Sequence, residues 1–375
     1  MTAAFDAVVL GAGIVGAACA QELAGAGMTV AIVERDVVGG GATAAGMGHI
    51  VVMDDSPAQF ALTRYSQDLW NQLAEQLPDS VEYDPCGTLW IAASEEEFQE
   101  AHRKFLYYQA AGLPVEMLDG QALSQAEPNL RAGLPGALLV KRDSVVYAPC
   151  AAAWLLARAR QMGATLYLGH PVAQCGQGSV QLRDGTRLTS PHIVIALGAD
   201  ASALTPGLPI RKRKGHLVIT DRYPGFARHQ LVELGYLHSA HSARGDSVAF
   251  NVQPRRTGQV LIGSSRQFDS ADPAVDRAIL DAMLQRAELY MPGLRRLTAL
   301  RVWTGFRAAT PDKLPLIGPW LEDSTLYLAT GHEGLGITTS LATARLLADC
   351  ILRRASAIPL DPYLPARIDR EPAHA

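Results

Sequence analysis

A glycine pattern between two apolar runs constrains this chain most. Gly11, Gly13 and Gly16 follow the apolar run Ala7–Leu10, and the residues after them have helical character. A second apolar run ends at Glu34. A strand, a glycine turn, a helix, a second strand and a terminal acid form, in that order, a unit that binds a dinucleotide. We therefore predict a parallel sheet at the N-terminus with a nucleotide site at its edge.

The three glycines serve different purposes in such a unit. Gly11 permits the tight turn, Gly13 lets a pyrophosphate approach the backbone, and Gly16 lets the helix pack closely on the strand. The helix N-terminus offers unpaired N–H groups to the phosphates, and Glu34 can accept hydrogen bonds from an adenosine ribose. A glycine-rich turn without a ligand is the alternative, and the complete order of elements argues against it.

Composition excludes several classes of protein. The 375 residues carry a formal charge of −4, so we expect no nucleic-acid partner. The five cysteines are scattered, which predicts no metal or iron–sulfur site on this chain and a reducing compartment. The apolar N-terminus lacks a basic leader and is interrupted by glycines, so we expect neither a signal peptide nor a transmembrane segment. A cytoplasmic location follows, with peripheral attachment at the inner face of a membrane left open.

Small residues recur at two further places. Eight of the ten residues of the run 39–48, soon after the second strand, are glycine or alanine. A strand, a glycine turn and a helix start recur over 326–339. Because glycine and alanine let the backbone come close to another group, we expect both runs to pack against a ligand. A flexible loop is the alternative for the first run. A nucleotide that contacts both ends of the chain suits FAD better than NAD. We predict a discontinuous FAD-binding domain (1–50, 145–205 and 301–360), a substrate-binding domain (51–144 and 206–300) and a C-terminal tail (361–375).

Five blocks of the sequence resemble, in order, the D-amino-acid-oxidase-like family of FAD-dependent amine oxidoreductases, which includes glycine oxidase and sarcosine oxidase. The resemblance implies an α/β fold: a Rossmann-like FAD-binding domain of the glutathione-reductase type and a substrate domain with an antiparallel β-sheet. The stretches 46–55 and 253–266 most resemble the catalytic (beta) subunits of bacterial D-hydroxyproline dehydrogenase and hydrogen cyanide synthase. The five blocks are Gly11 to Gly16 with Glu34, Gly41 to Gly46, Val194 to Ala199, Trp303 to Asp312, and Thr330 to Gly336.

The resemblance implies noncovalent FAD, because Cys350 lies well inside the last helix and no other cysteine suits covalent attachment. It places the ADP half on the first glycine turn, the flavin on the second small-residue run, and the flavin pyrimidine on the last helix start. The implied cofactor-binding residues are Gly11, Gly13, Ile14, Val15, Gly16, Glu34, Arg35, Thr43, Ala44, Ala45, Gly46, Met47, Gly48, Val172, Ala196, Gly198, Gly305, Gly331, Gly334, Leu335, Gly336, Ile337 and Thr338.

Arg307 is the leading candidate for a site residue. The resemblance implies that the arginine of its block binds the substrate carboxylate, and a planar guanidinium can grip a carboxylate through two parallel hydrogen bonds. A structural salt bridge with Asp312 or another acid is the alternative.

Other candidate site residues lie near these blocks. Asn251 stands where glycine oxidase has a tyrosine, so we predict substrate contacts for Asn251, its neighbour Phe250 and Met47, with an altered substrate preference. His49 and His332 lie beside predicted flavin-contacting glycines and are candidate catalytic residues. A lone histidine is more often a satisfied structural group, which is the alternative for both.

Two further features depart from a simple pattern. Asp200 stands two residues after Gly198, where many relatives have Gly-Ala-Trp, and we expect this change to alter packing only. The basic run 211–214 indicates a solvated loop, with a docking surface for an acidic partner as the alternative.

The resemblance implies oxidation of a D-amino or secondary-amine acid to an imine by hydride transfer from the substrate α carbon to flavin N5. The first candidate substrate is cis-4-hydroxy-D-proline, giving a pyrroline carboxylate. Electrons would pass to a second flavoprotein subunit and a small iron–sulfur subunit. The alternatives are a glycine- or sarcosine-type oxidase, a glycine-oxidising hydrogen cyanide synthase subunit, a non-catalytic flavoprotein subunit and an NAD-dependent dehydrogenase.

Overall fold

The computed structural model describes residues 2–235, 246–268 and 270–368. Within these ranges, none of the helices is long and apolar enough to cross a membrane. The helices are α1 (Ile14–Gly25), α2 (Gly41–Ala45), α3 (Pro57–Leu73), α4 (Glu95–Ala110), α5 (Gly120–Ala126), α6 (Ala148–Gln161), α7 (Arg277–Tyr290) and α8 (Gly336–Ile351).

The strands form two large sheets and smaller ones. They are β1 (Thr2–Ala4), β2 (Ala7–Leu10), β3 (Val30–Glu34), β4 (His49–Ile50), β5 (Thr88–Ala92), β6 (Val115–Asp119), β7 (Gly136–Val140), β8 (Ser144–Val145), β9 (Thr165–Leu168), β10 (Val172–Gly176), β11 (Ser179–Leu182), β12 (Arg187–Thr189), β13 (His192–Ile195), β14 (Arg211–Arg222), β15 (Gln230–Glu233), β16 (Ser247–Pro254), β17 (Gln259–Arg266), β18 (Ala299–Ala309), β19 (Leu316–Trp320) and β20 (Asp323–Thr330).

The first of two compact units is assembled from the described residues of segments 1–81, 147–212 and 306–375. Its central sheet has the order β19-β20-β13-β2-β3-β9, in which all neighbours are parallel except β19 and β20. The strands β2, β3 and β13 are fully or almost fully buried, as the apolar runs predict. Helix α1 packs between α6 and α8. The carboxyl ends of β2, β3 and β13 therefore meet at one edge, where a parallel sheet binds its ligand.

The boundaries of this unit differ from the predicted ones. Helix α3 belongs to the first unit, whereas we assigned residues 51–144 to the substrate domain. The reason is its packing on α8, where Trp70 Nε1 donates to Thr338 O at 3.2 Å and Ala342 N donates to Ser66 Oγ at 3.1 Å. The predicted separate tail is also partly embedded, because buried Tyr363 donates its hydroxyl to Ala58 O at 2.7 Å.

The second unit comprises the described residues of segments 82–146 and 213–305. Its eight-stranded sheet has the order β18-β14-β17-β16-β15-β5-β7-β6. The strands β15 and β5 pair in parallel, whereas the neighbours from β14 to β15 and from β5 to β6 pair antiparallel. One face carries alternate apolar residues such as Leu89, Leu231 and Val252. These pack with apolar residues of α5 and α7 into one core. Alternation of side chains along each strand leaves the opposite face for other purposes.

Candidate cofactor and substrate site

The turn between β2 and α1 accepts only glycine at two of its positions. Gly11 has φ +102°, and a Cβ there would lie 2.6 Å from Ala196 O. A Cβ on Gly16 would fall inside the contact distance of Gly11 O. At Gly13 a Cβ would lie 3.2 Å from Thr43 Oγ1. The backbone is thus bare at the start of α1, which is the cradle that a pyrophosphate needs.

Glu34 is fixed beside this turn. Its Oε2 accepts from Ala12 N at 2.8 Å, and its Oε1 accepts from Asp36 N at 2.8 Å. His170 N donates to Glu34 O at 3.0 Å and brings the segment that precedes Val172 to the same end of β3. The carboxylate and the glycine turn therefore lie together at the end of β3, and Val172 opens β10 two residues after His170; their contacts with ADP remain a prediction.

The second small-residue run joins the first through Thr43. Buried in α2, Thr43 accepts from Ile14 N at 3.0 Å through Oγ1, which links the starts of α1 and α2. A Cβ on Gly46 would lie 2.8 Å from Ile337 Cδ1, so this run also meets the start of α8. Residues separated by about 290 positions in sequence are thus brought together, and their contacts with one cofactor remain a prediction.

The start of α8 is held from several sides. Thr338 Oγ1 donates to His49 O at 2.8 Å and accepts from Val51 N at 3.3 Å, while Trp70 donates to the carbonyl of Thr338. The N-cap residue Leu335 provides no side-chain cap. The first N–H groups of a helix have no acceptor within it, so they remain available to a ligand. We did not predict that Trp70 supports the start of α8, because the sequence shows only that it lies on the apolar side of a helix.

The other predicted cofactor residues lie on the same unit, apart from Gly305. Ala196 lies against Gly11, and Gly198, at φ +55°, accepts from Thr330 Oγ1 at 2.9 Å. Gly331 has φ +77°, and its bare backbone faces Thr310. Val15 lies in α1, and Ala44 and Ala45 lie in α2. Met47 and Gly48 come shortly after α2, and Gly334 and Gly336 lie beside the start of α8. Gly305 lies in β18, in the second unit. The role of each remains a prediction.

Asp200 does more than alter packing, which corrects our expectation. It pairs with Lys212 at 2.7 Å and with Arg35 at 2.9 Å. Burial opposes ionisation of Asp200, but the hydrogen bonds and charges of Lys212 and Arg35 outweigh it and lower its pKa. Arg35, the predicted cofactor residue after Glu34, is thereby held toward the turn that follows β13.

The basic run is also not a solvated loop. Residues 211–214 begin strand β14, Arg213 stacks over Phe268 at 4.4 Å, and Lys214 is buried. Lys212 is engaged by Asp200. Lys212 and Arg213 are thus engaged locally, whereas Arg211 is exposed, and a docking surface for an acidic partner remains the untested alternative.

Arg307 lies beside the glycine turn that precedes α8. A Cβ on Gly334 would lie 3.5 Å from Arg307 Nε and 3.7 Å from its Cδ, so the guanidinium stem passes directly over this glycine. Glu333 N donates to Ala308 O at 2.9 Å and ties the two segments together. Arg307 is therefore next to the helix start that is predicted to face the flavin.

Asp312, which the alternative for Arg307 names as a salt-bridge partner, is held by a different arginine. Arg367 holds Asp312 through two hydrogen bonds, Nε to Oδ2 at 2.7 Å and a terminal nitrogen to Oδ1 at 3.1 Å. Burial opposes ionisation of Asp312, but Arg367 outweighs it and lowers the pKa of the carboxyl. The carboxylate nearest to Arg307 in sequence is thus already committed elsewhere.

The two histidines differ in their surroundings. His332 is buried, its Nε2 lies 2.9 Å from Thr343 Oγ1, and burial lowers its pKa to about 3. Burial thus favours the neutral form of His332, and its assignment as a candidate catalytic residue remains a prediction. The backbone of His49 accepts from Thr338, and a role for its side chain near the flavin remains a prediction.

The two predicted substrate residues of β16 point to opposite faces of the second unit's sheet. Phe250 is fully buried in the core and stacks on Tyr290, with ring centroids 4.4 Å apart. This corrects its assignment as a substrate contact, because the strand alternation turns its side chain away from the face that carries Asn251. Asn251 is 6% exposed and stays a candidate.

Comparison with known proteins identifies the family of this chain. Residues 6–350 match the protein family DAO, described as FAD dependent oxidoreductase. This chain belongs to that family. Its identification as a relative of glycine oxidase is confirmed: the glycine oxidase of Geobacillus kaustophilus is 30% identical, with 97% of each chain covered. A crystal structure of glycine oxidase from the same organism matches with a TM-score of 0.87 at 28% identity, covering 98% of this chain and 100% of the other.

A second relative is hydrogen cyanide synthase subunit HcnC of Pseudomonas aeruginosa, 26% identical over 100% of this chain and 98% of the relative. These comparisons confirm the α/β fold with a Rossmann-like FAD-binding part, the FAD cofactor and an oxidoreductase that acts on C–N bonds. The bare cradle at Gly11 and Gly16 and the fixed Glu34 carboxylate fit the ADP half of FAD. The chain is an FAD-dependent amine or amino-acid oxidoreductase of the glycine oxidase type.

Proposed function

We propose that this DAO-family protein oxidises a D-amino or secondary-amine acid to an imine, with cis-4-hydroxy-D-proline as the first candidate substrate. The position of Arg307 carries the proposal. Its guanidinium stem passes within contact distance of Gly334, beside the start of α8, and Arg367 engages the carboxylate of Asp312. A carboxylate bound there would lie next to the predicted flavin residues of the first unit.

The chemistry converts a CH–NH unit to C=N, which removes a hydride from the α carbon and a proton from the nitrogen. FAD, when bound, supplies the acceptor for the electron pair. Arg307 binds and orients the carboxylate of the substrate, which presents its α carbon to the cofactor. In this proposal the amine enters unprotonated, so the reaction requires no side-chain base and positioning supplies most of the acceleration.

Two relatives offer rival substrates. The name of glycine oxidase gives its substrate, glycine. The name of hydrogen cyanide synthase gives a product, hydrogen cyanide. Asn251, in place of the tyrosine of glycine oxidase, favours a different substrate. Anaerobic bleaching of the bound flavin, followed by its visible absorbance, ranks these substrates directly. Glycine, sarcosine, D-proline and the hydroxyproline isomers are each added as the reductant. Bleaching by glycine alone would replace our candidate with glycine.

We further propose that the chain is the catalytic subunit of a cytoplasmic complex with a second flavoprotein and a small iron–sulfur subunit. HcnC is itself named as a subunit, and the scattered cysteines of this chain do not suit electron relay. The purified chain should therefore reduce an artificial dye much faster than oxygen. Rapid oxygen consumption with the same substrate would show an oxidase instead.

A non-catalytic flavoprotein subunit is the rival from another class. Substitution of Arg307 by Ala tests it, with the Asp312→Asn variant as the control in the same segment. Loss of flavin bleaching in the first variant alone supports catalysis on this chain. Unchanged bleaching in the Arg307→Ala variant would favour the scaffold.

A further inference from the structure

An ion pair in the first unit crosses the end of the strand that carries the glycine turn. The strand order places β2 between β13 and β3. Arg35 directly follows β3, and Asp200 lies in the turn that follows β13. A terminal nitrogen of Arg35 donates to Asp200 Oδ2 at 2.9 Å. The pair therefore joins elements about 10 Å apart, twice the spacing of neighbouring strands, at the edge where Gly11 opens the glycine turn.

Asp200 is a fixed anchor for the long side chain of Arg35. Both of its carboxylate oxygens are engaged, because Oδ2 accepts from Arg35 and Oδ1 pairs with Lys212 Nζ at 2.7 Å. The backbone of the same turn is tied to the sheet, since Thr330 Oγ1 donates to Gly198 O at 2.9 Å. All of these residues belong to the first unit, as does the glycine turn.

Arg35 keeps donors for a ligand. A guanidinium carries five N–H groups in one plane. One bonds to Asp200, and another donates from Nε to Asp36 Oδ2 at 3.0 Å. The other three have no acceptor among the described residues, and the side chain is 61% exposed. These donors lie beside the turn whose bare backbone is the predicted pyrophosphate cradle.

Holding Arg35 in advance favours binding of an anion at this turn. An exposed arginine loses rotamer entropy when a ligand immobilises it. An arginine that an ion pair already holds has lost part of that entropy before the ligand arrives, so less is lost on binding. The planar guanidinium also matches the geometry of phosphate oxygens. Tryptophan, which many relatives have at the place of Asp200, cannot form this ion pair because its indole only donates.

We infer that Asp200 is a positioning residue for the cofactor: it holds Arg35 across the glycine turn, where the guanidinium binds the pyrophosphate of FAD. The inference rests on the predicted contact of Arg35 with FAD and adds the residue that orients this contact. It concerns cofactor binding alone, so it does not depend on which substrate the enzyme oxidises.

Titration of the apoprotein with FAD, followed by flavin fluorescence, tests the inference without turnover. Asp200→Asn preserves the size of the side chain but removes its charge, so the Kd for FAD should rise about three- to tenfold. The control is Asp361→Asn, the same change at an exposed position of the first unit, which should leave the Kd within about twofold. A Kd of Asp200→Asn that equals that of the control would overturn the inference.

A double-mutant cycle separates positioning from a merely structural role. Arg35→Met, at an exposed side chain, should raise the Kd for FAD at least as much as Asp200→Asn. Once Arg35 is methionine, the further change Asp200→Asn should alter the Kd by less than about twofold. Equal effects of Asp200→Asn in both backgrounds would show that Asp200 acts without Arg35. An unchanged Kd in Arg35→Met alone would also overturn the inference, even where the Asp200 variant does not fold.

ADP locates the effect on the cofactor. ADP carries the pyrophosphate and the adenosine of FAD but no flavin, and calorimetric titration gives its Kd for the apoprotein. Asp200→Asn should weaken ADP by the same factor as FAD, with the melting temperature of the apoprotein kept within a few degrees. Weakened FAD with unchanged ADP would place the effect at the flavin and overturn the inference. A large fall in the melting temperature of the apoprotein would show that Asp200 supports the fold, and would overturn it as well.

Discussion

A single methyl group at position 16 should disturb both the packing of α1 on β2 and the predicted binding of the pyrophosphate. In the structure, a Cβ on Gly16 would fall well inside contact distance of the carbonyl oxygen of Gly11. Both the helix and the turn would be displaced by a distance on the order of 1 Å to restore an ordinary contact. Neither neighbour is a flexible side chain, so we expect the Gly16→Ala variant to lose about 1–3 kcal/mol of unfolding free energy.

The cofactor should be lost along with this stability. The displaced turn contains Gly11 and Gly13, whose bare backbone forms the predicted pyrophosphate cradle. The stabilisation that FAD binding gives the folded state is then lost as well. Gly25 supplies the matched control at the other end of the same helix. A Cβ there meets only Met162 Sδ at an ordinary 3.7 Å. Gly25→Ala should therefore be neutral or stabilising by up to about 1 kcal/mol.

The assay measures flavin content from the visible absorbance of the purified variants and unfolding free energy by denaturant titration. We expect Gly16→Ala to be largely colourless and destabilised, and Gly25→Ala to be yellow. A Gly16→Ala protein with full flavin content and unchanged stability would refute the close-packing argument. Flavin loss in Gly25→Ala would show that the helix as a whole, rather than the contact with Gly11, controls binding.

Three further predictions follow from single contacts. Arg307→Lys keeps the charge but loses the planar pair of hydrogen bonds, so kcat/KM should fall about 10- to 100-fold in steady-state assays with flavin content unchanged; an equal rate would contradict carboxylate binding. Asp312→Asn removes the pair with Arg367 and should cost at most about 1 kcal/mol at pH 7 by denaturant titration. Because the pKa of Asp312 is lowered in the folded state, this difference should be full above about pH 4 and vanish as the pH falls through the folded pKa; a difference that grows in acid would refute it. Trp70→Phe loses the bond to Thr338 O and should cost about 1 kcal/mol and shift the flavin midpoint potential, whereas Trp154→Phe, on α6, should leave the potential unchanged.

Local sequence determined the parts of this protein that depend on neighbouring residues. The strand, glycine turn and helix at 7–25, the acid that ends β3, and the second helix start at 336 could all be predicted. Each of these depends on spacing within a short window: apolar runs make buried strands, and glycines mark turns where the backbone must come close to another group. The family, its cofactor and its reaction class followed from the same blocks.

Tertiary structure alone decided which distant side chains meet. Asp200 was expected only to alter packing, yet it joins Arg35 to Lys212. Asp312 was the candidate partner of Arg307, yet Arg367 takes it. Ion pairs such as these depend on how strands and turns far apart in sequence are stacked, and no local pattern encodes that distance.

The same limit explains the two residues of β16. Phe250 and Asn251 are adjacent in sequence, so both looked equally suited to contact a substrate. Only the pairing of β16 with its neighbours shows that one side chain enters the core against Tyr290 while the other reaches the opposite face. The residue types were written in the sequence, but the direction in which each points was set by strand register, which arises from contacts across the whole sheet.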